Sequence, residues 1–496
     1  MMSRAHRNIS RAAAAATLLN LAACTYAPTS APPSMPEPVQ YGAAPVPERT
    51  VAAQGTAQQF VQQAQAVPAW WRLYRCDALD TLVDEGLRSS PTLEAADHRL
   101  AAARDMWRAN SGTLWPALDL GDGAQRGGIP GFIQPGPDAY RYDVFAGRLQ
   151  GSYNFDLFGA TRYANAALAA RVDEEAYRFD AARRALAANI VTTVIAAAVA
   201  RAQIAQTEQL VALANRLADE AQERHDAGVL AFGDVLIARQ AASSLSAGLP
   251  ALHQQQTSAS HALAALLGRT PDDAPADIDL AQLHLPGRIP VTVPSALLKT
   301  RPDIQAAEAT LRAAAADVGA ATARFFPDIS LTAAFGRAGL EWLPALSGAG
   351  AIWSVGASLS QPLFHGGALV AQRHSAQHAY EAAVAQYRAT VIAAFANVSD
   401  ALAALINDAQ ACDAAHSAAD DAQTIADQAA ARLRAGAVPA TAVHLSEQRW
   451  RTARLDEIRY MGARLTDTAV LFQAFGSPTQ APTSHDDPAV QASLKE

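Results

Sequence analysis

The chain has 496 residues, of which 50% are hydrophobic and 17% charged, with a formal net charge of −8. That length accommodates two or three ordinary domains, and an acidic balance without a basic run excludes nucleic acid as a partner. Ala-rich, weakly charged sequence suits helices packed closely through small side chains.

The chain opens on a targeting segment. Arg4, Arg7 and Arg11 precede the apolar run "AAAAATLLNLAA", which is too short to span a membrane and reads as a signal peptide over 1–23. The run ends in Leu21-Ala22-Ala23-Cys24, the pattern of a bacterial lipobox. Cys24 is the expected lipidation site, carrying N-acyl and S-diacylglycerol groups as its only attachment, the alternative being an ordinary signal peptide with a chance cysteine. Thr25 follows, with no Asp to signal inner-membrane retention, so outer-membrane sorting is expected. Residues 24–66, rich in Pro, Ala, Gln and Thr, read as a lipidated flexible tether. Cys76 and Cys412 lie far apart in different halves and read as two separate buried thiols, although the export route permits a disulfide.

From there the sequence repeats itself. "SPTLEAADHRLAAARDMWRANSGTLWPALDL" begins at Ser90 and "RPDIQAAEATLRAAAADVGAATARFFPDISL" at Arg301. Gly228, Gln240 and Gly268 recur as Gly436, Gln448 and Gly476, each 208 residues on. The reading is one duplicated unit, over 67–285 and 286–478, with a flexible tail at 479–496. In each half one stretch runs without Pro or Gly, Ala160 to Ala227 and Ala368 to Ala435. Helices of that size extend about 100 Å at 1.5 Å per residue. Val384, Tyr387, Val391, Phe395, Val398, Leu402 and Leu405 keep a coiled-coil stripe. Gly228 and Gly436 stop these helices, and return helices follow from Phe232 to about Gly268 and from Thr441 to about Gly476.

Between the helices, apolar and polar residues alternate. Leu149, Gly151, Tyr153, Phe155 and Leu157 form one such set, Ile329 to Phe335 a second and Trp353 to Leu359 a third, with a weaker one at Pro116 to Gly121. This is the signature of membrane β-strands, or of a soluble sheet with one wet face. The linkers "GDGAQRGGIPGFIQPGPDAYRYD" and "GRAGLEWLPALSGAG" read as exposed loops. Two strands per half make four per chain. Membrane barrels start at eight strands and leave no edge in lipid, so an oligomer is predicted.

The lipobox, the duplicated helix–strand–strand–helix unit and the long helices together resemble the TolC-like outer-membrane efflux factors, in particular the lipidated NodT-type branch of tripartite RND-type systems. The resemblance covers roughly Ala69 to Pro478. It rests on Trp70-Trp71, "DLFG" at Asp156–Gly159, Phe326-Pro327, "QPLFHGG" at Gln361–Gly367 and the hairpins "AGVLAFGDVLIARQ" and "AGAVPATAVHLSEQ". It implies a mainly α protein with membrane β. As a homotrimer it has a 12-stranded outer-membrane β-barrel continued by a 12-helix periplasmic α-barrel. The implied function is the passive exit duct of a tripartite pump, with a periplasmic adaptor and an inner-membrane transporter as partners. A duct for type I protein secretion, or a non-channel periplasmic coiled-coil lipoprotein, are the alternatives.

The resemblance also assigns residues. Ala227, Gly228, Val229, Ala435, Gly436 and Ala437 match the small-residue tips that meet the adaptor, although Gly there also caps a helix without any partner. Asp234, six after Gly228, matches an acidic periplasmic gate; its plain alternative is a solvated surface Asp. The second half has Ala442 at that position, which departs from a double-acid ring, with His444 and Glu447 nearby. No enzyme signature is present: there is no His-Glu-x-x-His, Gly-x-Ser-x-Gly, Cys-x-x-Cys or phosphate loop. His374 and His378 lie four apart without a third ligand, so no metal is expected.

Overall fold

Both long Pro- and Gly-free stretches are single helices. A computed structural model describes residues 27–35, 40–41, 46–63, 67–129, 140–292, 294–341 and 350–477. The expected signal peptide 1–23, the Cys24 lipidation site and the tail 479–496 lie outside the described residues. After a short strand β1 (Gln59–Gln63), the first half runs α1 (Asp77–Ser89), α2 (Pro91–Gly112), β2 (Ala117–Ile129), β3 (Tyr140–Phe155), α3 (Ala160–Asp226) and α4 (Phe232–Leu266). The second runs β4 (Arg288–Thr292), α5 (Pro294–Thr300), α6 (Pro302–Ala323), β5 (Asp328–Gly339), β6 (Ala351–Ser360), α7 (Ala368–Arg434) and α8 (Ala440–Ala474). Helices α3 and α7 each have 67 residues, and α4 and α8 each have 35. The duplication therefore holds element by element.

Contacts divide the chain into two units that cut across the repeats. One comprises 1–34, 100–175 and 306–388; the other comprises 35–99, 176–305 and 389–496. The first holds an antiparallel sheet of order β2-β3-β5-β6. Strand β3 pairs β2 from Ala117↔Ser152 to Ile129↔Tyr140, and pairs β5 from Phe155↔Ile329 to Phe145↔Gly339. Strands β2, β3 and β5 continue well into the segments read from sequence as exposed loops. Gly and Arg there do not break pairing, because an antiparallel ladder uses only backbone groups.

The second unit has the larger core. Trp70, Trp71, Tyr74, Leu79 and Val83 pack with Ile190, Val194, Leu267, Leu465 and Phe472, all nearly inaccessible. Trp70 stacks on Phe472 at 5.2 Å and Tyr74 donates its hydroxyl to the Leu465 carbonyl at 2.7 Å. The Trp70-Trp71 pair is thus a packing anchor. The coiled-coil stripe faces inward: Tyr387, Val391, Val398, Leu402 and Leu405 are buried, and Val384 and Phe395 half-buried.

The tether expected over 24–66 is corrected over its later part. Residues 46–63 are fastened to the fold. Strand β1 pairs in parallel with β4, a bridge joins Arg49 and Gln59, and Tyr41 packs its ring against Phe395 and Phe475. The physical reason is Arg464 of α8, which is 3% exposed. Its guanidinium donates to Gln58 Oε1 at 3.1 Å, Thr50 Oγ1 at 3.2 Å and the Thr56 carbonyl at 2.9 Å. Gln54 and Gln58 in turn reach Glu457 and Thr468 at 2.6 and 3.1 Å. Polar, Gln- and Thr-rich composition here supplies ligands to a buried cation.

Candidate functional site

Each long helix closes at the position anticipated from its glycine. The Gly228 N–H donates to the His225 carbonyl at 2.8 Å, and the Val229 N–H reaches back to the Arg224 carbonyl at 2.8 Å. Gly436 and Ala437 repeat this with Leu433 and Arg432 at 2.9 and 2.8 Å. The pattern is a Schellman stop, which requires a left-handed residue, and φ is +75° at Gly228 and +71° at Gly436. A Cβ at either would meet nothing within 4 Å among the described residues, so both positions face open space. The six tip residues 227–229 and 435–437 are all exposed or half-open at the ends of their hairpins.

The two tips differ in chemistry. The first exposes Val229, Phe232, Leu236 and Ile237, with Val229 68% accessible. The positions 208 residues on are Ala437, Ala440, His444 and Leu445, so of these four only Leu445 is a large apolar side chain. That apolar patch escaped sequence reasoning because the return helix is read by its bounds alone, and periodicity does not tell whether Phe232, Leu236 and Ile237 are covered. Asp234 is exposed in the first turn of α4, where a helix N-terminus favours negative charge. His444 Nδ1 lies 2.8 Å from Glu220 Oε1, and Glu447 accepts from Arg451 at 2.7 and 3.0 Å. Both second-half alternatives therefore lie against partners, His444 beside Glu220 and Glu447 paired with Arg451, whereas Asp234 has no ion-pair partner among the described residues.

The sheet is amphipathic. Leu120, Leu149, Phe335 and Trp353 form one row across all four strands. Phe155, Ile329 and Leu359 form another on the same face, six residues or about 20 Å along β3. The opposite face carries Asp119, Gln150 and Ser354, then Asn154, Ser330 and Ser358, the last two hydroxyls 2.7 Å apart. Above the apolar rows, Arg126 and Asp143 form a two-pronged ion pair at 2.7 and 2.8 Å. Strands β2 and β6 have no partner on their outer edges among the described residues. In the same unit Ala27, Pro28 and Ser30 line a cavity of about 370 Å³ with Tyr163, Ala166, Ala170 and Arg312, and Tyr380 donates to the Thr29 carbonyl at 3.1 Å.

Both repeats match the family described as "Outer membrane efflux protein", over residues 82–269 and 293–477. The chain is 33% identical to outer membrane protein OprJ of Pseudomonas aeruginosa over 404 residues, 78% of each chain. It is 28% identical to Nodulation protein T of Rhizobium leguminosarum bv. viciae over 409 residues, covering 80% of this chain and 79% of that one. Its fold matches the Campylobacter jejuni CmeC outer membrane channel with a TM-score of 0.82 at 20% identity, covering 95% of this chain and 98% of that one.

Proposed function

Because the chain belongs to the outer membrane efflux protein family, we propose that it is the outer-membrane exit duct of a tripartite efflux pump. The observation that carries this reading is the amphipathic four-stranded sheet with two unpaired edges, joined to two 67-residue helices. Lipid offers no hydrogen-bonding partner to an open edge, so the sheet must close against other copies. Three copies give a 12-stranded barrel, and α3, α4, α7 and α8 from each give a 12-helix tunnel. The face carrying Asp119, Asn154, Ser330 and Ser358 lines the water-filled lumen, and the Leu120–Trp353 row faces lipid.

The protein resides in the outer membrane of a Gram-negative cell. The lipid on Cys24 adds a second hold on the bilayer. The path of the chain supports it. Ala27 and Pro28 lie beside Tyr163, in the first turn of α3, and the three residue steps from Cys24 to Ala27 span at most about 11 Å.

Export is passive: energy comes from the inner-membrane transporter, and a periplasmic adaptor joins the two at the tips around Gly228 and Gly436. Asp234 contributes, three-fold, to a cation-favouring constriction at the periplasmic end. Adaptor binding shifts the population toward an untwisted, open tip. Native mass of the detergent-extracted protein, followed by planar-bilayer recording, tests the reading. A trimer with ohmic, cation-favouring conductance is expected; a stable monomer without conductance overturns it.

A further inference from the structure

The two junctions between strand and helix in the sheet unit are sequence repeats of one another, but only one is complete. Inside the chain, β3 meets β5. There Phe158, just after β3, stacks on Phe326, just before β5, with ring centroids 4.8 Å apart and planes 15° apart. Both rings are half-buried. The duplication places a counterpart at each outer edge. Phe326-Pro327 answers Trp115-Pro116, an offset of 211, and Leu157-Phe158 answers Leu363-Phe364, an offset of 206. In the single chain these counterparts lie on opposite edges of the sheet and are bare: Trp115 is 74% exposed and Phe364 87%. The adjoining strand residues follow suit. Tyr153 is half-buried opposite Leu331, whereas their counterparts Leu359 and Leu120 are 69% and 83% exposed.

We infer that β6 of one copy pairs with β2 of the next in the register that β3 and β5 use within the chain, and that Phe364 and Trp115 complete between copies the aromatic stack that Phe158 and Phe326 make within one. The inference rests on the trimer reading and specifies its seam. Strand directions permit it, because β2 begins and β6 ends at the same end of an antiparallel sheet, so β6 and β2 of neighbouring copies meet antiparallel. Carried over by the two offsets, Tyr153↔Leu331 becomes Leu359↔Leu120, Phe155↔Ile329 becomes Gln361↔Leu118 and Leu149↔Phe335 becomes Val355↔Ala124. This register keeps the apolar face continuous across the seam, as it must, since a slip of one residue would turn every side chain of one strand to the other side.

Cysteine pairing tests the register directly. In a single chain β2 and β6 are three strand spacings apart, about 14 Å, beyond the 4.4–6.8 Å of Cα atoms joined by a disulfide. A bond between residues 120 and 359 is therefore a bond between copies. Leu120→Cys with Leu359→Cys, oxidised in outer-membrane fractions, is expected to give a covalent trimer under denaturing, non-reducing conditions. Leu118→Cys or Asp122→Cys combined with Leu359→Cys, two residues out of register, is expected to give little. A trimer by native mass that cross-links through 118 or 122 in place of 120, or through none, overturns the seam and leaves the trimer standing. A monomer by native mass overturns both. For the stack, Trp115→Ala and Phe364→Ala are each expected to lower the temperature at which the trimer dissociates in detergent. The double variant should drop no further than the worse single, and Trp115→Phe should stay close to the parent. Additive losses, or none, would remove the stack from the seam.

Discussion

Replacing Arg464 should release the N-terminal segment from the helical hairpin. The side chain is 3% exposed and gives hydrogen bonds to Thr50, Thr56 and Gln58 of that segment. On its other side stand Cys412, Asp408 and Asp413 of α7. Arg464→Ala leaves the Gln58 side-chain and Thr56 main-chain oxygens without their donor, each worth about 1–3 kcal/mol when buried. It also removes the positive charge beside Cys412, Asp408 and Asp413, which adds to that loss. A total of about 3–5 kcal/mol is expected. Arg464→Lys keeps the charge without the planar fork and should lose less, since one ammonium cannot span Thr50, Thr56 and Gln58 together. Hydrogen exchange is the direct assay. Amides of residues 50–63, in the small hairpin and the β1–β4 ladder, should lose protection by about two orders of magnitude or more, at 1.4 kcal/mol per tenfold change, while the tips around Gly228 stay unchanged. Unchanged protection over 50–63 in Arg464→Ala would refute the reasoning, and the segment would then be held by β4 and its Gln54 and Gln58 contacts without Arg464.

Gly268→Ala should cost more than Gly228→Ala. Both sites have left-handed φ, +77° and +75°, worth about 1–2 kcal/mol to a residue with a Cβ, but at Gly268 that atom would also lie 2.6 Å from the Ser89 carbonyl. Thermal melts should separate them by a further 1–3 kcal/mol or so, and equal losses would refute the packing difference. Burial, together with the hydrogen-bonded Asp467 carboxyl, pushes Asp408 up to about 7. The folded protein therefore keeps a proton that the unfolded chain sheds near pH 4, so stability falls between about pH 4 and 7 and is flat above. Asp408→Asn should remove that fall, worth on the order of 1–2 kcal/mol after screening at a half-exposed site, as read from urea midpoints at pH 5 and 8. Asp234→Ala should reduce the cation preference of the pore in bilayer recordings; unchanged selectivity would remove it from the constriction. Glu220→Ala, which frees His444, should raise the resting conductance, and no change would mean that this pair does not hold the tip closed.

The long helices were legible because 67 residues without Pro or Gly leave the backbone one regular solution, and the heptad stripe from Val384 to Leu405 fixed which side is buried. The stops at Gly228 and Gly436 were legible because a Schellman turn demands a residue without a Cβ. Strand lengths were not, since Gly127, Gly128 and Arg126 sit within β2 at positions that hydrogen-bond through the backbone whatever the side chain. The fastening of 46–63 was hidden for a different reason. It depends on one arginine more than 400 residues away, and Gln- and Thr-rich sequence looks the same whether its partners are water or a guanidinium. The apolar tip patch was hidden because helical periodicity marks Phe232, Leu236 and Ile237 as apolar without telling whether anything covers them.

Duplication gave the two halves the same backbone, and divergence has since divided their work. The four stop glycines remain, because each satisfies a geometric demand that no other residue meets as well. Around them the side chains have separated. The second hairpin is tied to α3 by His444 on Glu220 and by Arg451 on Gln209, contacts at half-exposed positions that are individually worth about 1 kcal/mol or less. Its base, by contrast, is locked by Arg464, Phe472 and the stacked Trp70 in the second unit's core. A helix pair held weakly at its tip and firmly at its base bends where the contacts are weak. If the proposed duct opens at its periplasmic end, these weak tip contacts of the second hairpin are the ones that must break. The first hairpin leaves Val229, Phe232, Leu236 and Ile237 uncovered, the apolar surface on which the proposed adaptor contact would act.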